Sequence, residues 1–63
     1  MKGDSQMLNW RVKITGWEGN IIDECFNNKT SAHNFCKLYY KDSLVTQIFH
    51  YNGQFWQCVK FYV

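Results

Sequence analysis

Several common features are missing from this sequence. It has no proline, no internal repeat, no low-complexity tract and nothing that marks a linker. No apolar stretch approaches the roughly 18 residues of a membrane-spanning helix, so we expect no membrane association. We expect one domain, residues 1–63, with residues 1–8 as a loose polar segment ahead of the first strand.

Cysteines are few and widely spaced. Cys25, Cys36 and Cys58 show no CxxC spacing, and the start MKGDSQMLNW lacks the apolar run that secretion needs. An odd number of cysteines in such a chain indicates free thiols in a reducing compartment, so we expect a cytoplasmic protein. A metal site built from these thiols is conceivable, but packing as small core side chains is the commoner role, and we expect no metal or other cofactor.

The chain also has little net charge and few features of an enzyme. The net charge of +2 is too small to indicate a nucleic-acid partner by itself, and no Gly-rich phosphate loop, GxSxG or HExxH is present. Asp23 and Glu24 are adjacent in a predicted strand and so point to opposite faces. His33, His50 and Lys60 could form an acid–base site, but nothing in their spacing requires one, and we predict that the protein is not an enzyme.

Aromatic side chains, in contrast, are abundant. Phe, Trp and Tyr make up 19% of the 63 residues. A chain of this length buries only about 60% of the surface that its unfolded form exposes. Because each buried ring removes a large apolar area from water, we expect the rings to supply much of the stability.

Alternating residues predict two β-hairpins. In NWRVKITGW, Trp10, Val12 and Ile14 share one side of a strand, residues 18–20 form a turn, and IIDECF is the returning strand. In the last segment, Asn52-Gly53 favours a two-residue type I′ turn, which would pair Phe49 with Trp56 and Gln47 with Cys58.

The segment between the hairpins changes to a helical period. Thr30 or Ser31 can cap a helix of about three turns. Its apolar side would consist of Ala32, Phe35, Cys36, Tyr39 and Tyr40. The predicted fold is an α+β, two-layer β-β-α-β-β sandwich, with one amphipathic helix on one face of a four-stranded, mainly antiparallel sheet whose strand order stays open.

A single helix can cover only one face of this sheet. Under the helix we place the apolar side of the first strand and, from the last hairpin, Leu44, Ile48, Phe55, Val59, Phe61 and Val63, with Thr46 and Gln57 as polar exceptions. The opposite face would hold Thr15 and Val45 beside our candidates for partner binding, which are Arg11, Lys13, Trp17, Phe49, Tyr51, Trp56, Lys60 and Tyr62.

Two explanations of this ring-rich face remain open. Pairing of Phe49 with Trp56 can stabilise a hairpin without any further role. Alternatively, the face binds a larger protein, a second copy of the chain, or single-stranded RNA or DNA by stacking. A protein partner is favoured, because the chain lacks the second helix and the basic, aromatic octapeptide of an RNA-recognition motif.

One stretch resembles a known family. The segment VKITGW, Val12 to Trp17, is followed by a turn, a strand, one helix and a closing hairpin that carries a cysteine. This order, with Gly16-Trp17 as the shared residues, resembles the small early antitoxin of T-even phages known as the discriminator of mRNA degradation. The resemblance implies a phage-type inhibitor that blocks a toxin or defence protein in the host cytoplasm by direct binding. It carries over no site residue.

Overall fold

The structure is a computed structural model that describes residues 8–63. Its elements in chain order are β1 (Trp10–Gly16), β2 (Ile21–Phe26), α1 (Lys29–Tyr39), a 3₁₀ turn (Tyr40–Asp42), β3 (Ser43–Tyr51) and β4 (Trp56–Tyr62). The predicted α+β fold with the order β-β-α-β-β is confirmed. The expectation of a loose segment at residues 1–8 falls, apart from Leu8, outside the described residues.

All four strands form one antiparallel sheet in the order β2-β1-β3-β4. The two hairpins thus meet at β1 and β3, and β2 and β4 are the edges. Edge strands expose unpaired backbone groups to which other chains can pair. Charges discourage such pairing here, since β2 carries Asp23 and Glu24 and β4 carries Lys60.

The core lies between α1 and the middle of the sheet. Its buried apolar side chains are Val12, Ile14, Ala32, Cys36 and Ile48. The partly buried side chains packed around them are Trp10, Ile22, Phe26, Phe35, Tyr40 and Tyr62. Mostly aromatic residues therefore enclose a small aliphatic centre, as the composition predicts.

Helix α1 has a different cap from the predicted one. The side-chain Oδ1 of Asn28 accepts a hydrogen bond of 2.8 Å from the backbone N–H of Ser31, so Asn28 is the N-cap and Thr30 and Ser31 lie in the first turn. Asn caps at least as well as Ser or Thr, and Asn28 has the extended backbone that a cap requires. The expected length is confirmed, because the helix has 11 residues.

The turn of the first hairpin contains Trp17. The N–H of Gly16 donates to the carbonyl of Asn20 at 2.8 Å, and Gly19 has a φ of +89°. This is a three-residue loop in which glycine supplies the left-handed position. The prediction that Trp17 lies on the sheet face is wrong, since it is in this loop and 73% exposed.

The second hairpin has a longer loop than Asn52-Gly53 predicts. Oδ1 of Asn52 accepts hydrogen bonds from the N–H groups of Gln54 and Phe55, which keeps both residues in the loop. The first pair after the loop is Tyr51 with Trp56, not Phe49 with Trp56. Phe55 is consequently exposed at the loop and not part of the core. A register shift of two residues leaves Trp56 on its predicted face.

A β-bulge at Val59 changes the facing of the rest of β4. Ile48 pairs with Lys60 and Phe49 with Cys58, so Val59 is the extra residue. Lys60 and Tyr62 therefore lie on the helix side, and their predicted place on the opposite face is wrong. Phe61, predicted for the core, is turned to the open side and is 61% exposed. Leu44, Val59 and Val63 are also exposed.

We expect Asn28→Ala to lower the free energy of unfolding by about 1 kcal/mol, because the helix N-terminus loses its side-chain acceptor. Urea denaturation followed by circular dichroism measures this. Thr30→Ala is the matched control, and it should leave the stability unchanged or slightly higher. A larger loss of stability for Thr30→Ala than for Asn28→Ala would show that Thr30 is the N-cap.

Because of the bulge, we expect opposite effects on stability when two neighbouring rings of β4 are removed. Tyr62→Ala should cost about 2 kcal/mol or more, because Tyr62 packs against the core and its ring lies 4.7 Å from that of Tyr40. Phe61→Ala should change the stability by no more than about 0.5 kcal/mol. If urea denaturation gave the reverse order, unbroken alternation along β4 would be correct.

Candidate interaction surface

The sheet face opposite α1, here called the open face, follows from the strand registers. Side chains of β1 alternate, and those that do not enter the core point to this face. Its members are Arg11, Lys13, Thr15, Ile21, Asp23, Cys25, Val45, Gln47, Phe49, Tyr51, Trp56, Cys58 and Phe61. Among residues 8–63 no pocket is found, and this candidate site is a surface.

Arg11 is the centre of the open face. Its Nε donates to Oδ1 of Asp23 at 2.7 Å and its Nη2 donates to Oδ2 at 2.5 Å, which forms a bidentate ion pair. On its other side the guanidinium carbon lies 5.8 Å from the ring centroid of Phe49 and 5.7 Å from that of Trp56. One cation thus joins the carboxylate of an edge strand to two rings.

Tyr51 completes this group. Its ring centroid lies 5.5 Å from that of Trp56, and its backbone N–H donates to the carbonyl of Asn9 at 2.9 Å. The four residues Arg11, Phe49, Tyr51 and Trp56, all half-buried, form what we call the arginine–ring cluster. Each side chain shields part of its neighbours, so the cluster is assembled without a partner.

The ion pair perturbs both of its members. Hydrogen bonding to Asp23 raises the pKa of Arg11, and the same bonds hold the pKa of Asp23 below its ordinary value. Both side chains are about one third exposed, so solvent screens the attraction. The pair orients the guanidinium more than it stabilises the fold.

Lys13 is the second cation of the open face. Its cross-strand neighbours are Asp23 on β2 and Gln47 on β3. Both oxygens of Asp23 bond to Arg11, and in residues 8–63 that is the one salt bridge. Lys13 is half-buried in the sheet and has no ion-pair partner within this part of the chain.

The three cysteines are free, but they differ in environment. Cys36 packs in the core, where burial raises the pKa of its thiol. Cys25 and Cys58 are exposed on the open face. The residue opposite Cys25 on the neighbouring strand is Arg11, and the residue opposite Cys58 is Phe49. The expected core role holds for Cys36 alone. Residues 8–63 contain no group of three or more His, Cys, Asp or Glu side chains that could hold a metal ion.

The residues considered for acid–base chemistry all lie against aromatic rings. His50 packs on Trp10 with a centroid distance of 4.3 Å, and His33 meets the same ring edge-on at 6.3 Å. The ammonium of Lys60 lies over the ring of Tyr62 instead, 5.5 Å from its centroid. Each of the three contacts an aromatic ring.

The structure brings together five of the eight sequence candidates, namely Arg11, Lys13, Phe49, Tyr51 and Trp56. Trp17 stands in the β1–β2 turn, and Lys60 and Tyr62 are on the helix side. The important residue that sequence reasoning missed is Asp23. The three-residue loop at Trp17–Gly19 pairs Lys13 with Asp23. Because paired residues share a face, the loop length would have placed Asp23 on the open face.

No protein-family model matches this chain, and no curated protein or solved structure matches it either. The class that the coordinates define is a small α+β sandwich in which no element of residues 8–63 covers the second face of the sheet. No helix in the described part of the chain is long and apolar enough to cross a membrane.

Asp23→Asn tests the ion pair through its pH dependence. The pKa of Asp23 is lower in the folded than in the unfolded chain, so its contribution is present above the unfolded value of about 4 and is lost as the pH falls through the folded value. At neutral pH the variant should lose at most about 1 kcal/mol in urea denaturation. At strongly acidic pH the two proteins should converge.

Glu24→Gln is the matched control for this experiment, since Glu24 is exposed and forms no salt bridge within residues 8–63. It should change the stability little at either pH. A deficit of Asp23→Asn that persisted at acidic pH would show that the carboxylate does not act through its charge.

Proposed function

We propose that this protein is a small non-enzymatic binding module that covers a site on a larger protein with its open face. In mode of action it is an inhibitor of the antitoxin type, and it works in the cytoplasm. If the chain is encoded by a phage, as the resemblance of Val12–Trp17 implies, the partner is a host protein.

The arginine–ring cluster is the observation that carries this proposal. Tyr, Trp and Arg are the residues most enriched in the hot spots of protein interfaces, and the cluster places one of each on an uncovered face. The strands of this face have six to nine residues, so it offers a partner a continuous surface about 20–30 Å long.

Order within the cluster favours binding further. Asp23 holds the guanidinium of Arg11 in place with two hydrogen bonds, and Arg11 in turn lies over the rings of Phe49 and Trp56. Side chains that are already ordered lose less conformational entropy when a partner arrives, and this entropy is a large part of the cost of association.

Single-stranded nucleic acid is the less favoured partner. A stacking platform needs accessible ring faces and cations for the phosphates. Here Arg11 lies over two of the rings and is neutralised by Asp23, while Lys60 is on the other side of the sheet. Lys13 is the one cation of the open face without a counter-ion in residues 8–63.

Affinity capture from a bacterial lysate tests the proposal. The wild type should retain a protein that survives nuclease treatment, and Trp56→Ala should reduce its capture by at least about tenfold, as for a hot-spot residue. Leu38→Ala is the matched control, because Leu38 is an equally apolar, 71% exposed side chain on α1, and it should not affect capture.

Two further variants sharpen this test. Arg11→Met removes the guanidinium and should weaken capture even if Trp56→Ala proves unstable by circular dichroism. Trp17→Ala examines the β1–β2 turn separately, since a seven-residue strand puts Trp17 about 20 Å from Trp56. Capture that is insensitive to Trp56 and Arg11 but depends on Trp17 would refute the open face. Recovery of nucleic acid alone would favour the stacking platform.

A further inference from the structure

Lys13 carries a charge that a partner bound to the open face must neutralise. It lies on the central strand β1, between the carboxylate of Asp23 and the amide of Gln47. Arg11 takes both oxygens of that carboxylate, so Lys13 forms no salt bridge within the described residues, and its charge acts on Asp23 only at longer range, where it helps to lower the pKa of that carboxyl. A flat partner that covered the ammonium of this half-buried residue without a counter-charge would remove the charge from water at a high cost.

Charged and aromatic side chains lie on different halves of the open face. Arg11, Lys13 and Asp23 are on β1 and β2, whereas the aromatic side chains are on β3 and β4. Two cations and one carboxylate leave an excess of one positive charge. That excess borders directly on the rings.

We propose, building on the proposed function, that the partner segment is acidic and presents a carboxylate to Lys13 and a large apolar side chain to the arginine–ring cluster. The carboxylate supplies the counter-ion that Lys13 lacks. The apolar side chain packs on the rings of Phe49 and Trp56 beside the guanidinium of Arg11.

The sheet geometry sets the spacing of these two partner residues. Gln47 is the direct neighbour of Lys13, so Phe49 is its diagonal neighbour at about 7–8 Å. Residues two apart in a strand are separated by about 7 Å, and residues three or four apart on a helix by about 5–6 Å. The partner should therefore carry Asp or Glu two to four residues from Trp, Phe or Leu.

Other occupants of the open face match it less well. A nucleic acid gains its affinity from several phosphate contacts, whereas this face offers, within residues 8–63, one cation without a salt bridge, next to the carboxylate of Asp23. A second copy, stacked face to face about a two-fold axis, would bring the cations of both central strands together. An acidic protein segment needs only one cation and brings no second set of cations to the face.

Selection from a yeast-displayed random peptide library on the immobilised, folded protein tests this inference. Enriched peptides should show the spacing of a carboxylate and a large apolar residue given above. For such a peptide, Lys13→Met should raise the Kd by about fivefold or more and flatten its salt dependence. Lys37→Met, a matched change of an exposed lysine on α1, should stay within about twofold of the wild type.

The outcomes separate this inference from the proposed function. Peptides that require Trp56 but lack carboxylates, or that ignore Lys13→Met, would overturn the acidic partner and leave the binding module intact. A selection without any Trp56-dependent peptide would overturn both. Lys13-dependent binding of a single-stranded oligothymidylate, or Lys13-dependent dimerisation in analytical ultracentrifugation, would replace the acidic segment with that occupant.

Discussion

The packing of one helix across the two central strands is the constraint on which the rest of this structure depends. Ala32 and Cys36 of α1 meet Val12, Ile14 and Ile48, and burial of each of these Val and Ile side chains contributes about 1.5–3 kcal/mol. An 11-residue helix cannot cover both sides of a four-stranded sheet. The open face is thus a direct consequence of having a single helix, and its side chains can shield only one another.

The arginine–ring cluster is how the chain manages that exposed face. Asp23 on the edge strand orients Arg11, and Arg11 lies over Phe49 and Trp56. The contacts are half-buried and screened by solvent, so their effect is to order the surface more than to stabilise the fold. An ordered group of this composition is suited to binding, and this physical property underlies both proposals.

The bulge in β4 explains why part of the open face could not be predicted from alternation. Trp56 packs against Tyr51 at the open face, while Tyr62 packs against Tyr40 next to the core. The two residues are six positions apart, an even number, and regular alternation would put them on one face. Only an extra residue separates them, and the bulge at Val59 supplies it. Packing on both sides decides the position of such a bulge, and β4 itself carries no local signal of it.

Local periodicity in the sequence determined the elements, their order and the facing of β1, because alternation and helical spacing are properties of consecutive residues. It therefore identified Arg11, Lys13, Phe49, Tyr51 and Trp56 as residues of one face. Strand order, the β3–β4 register and the facing of Lys60 and Tyr62 were decided by the tertiary structure. These depend on contacts between residues that are distant in sequence, where the packing of α1 and the side-chain bonding of Asn52 outweigh local preference.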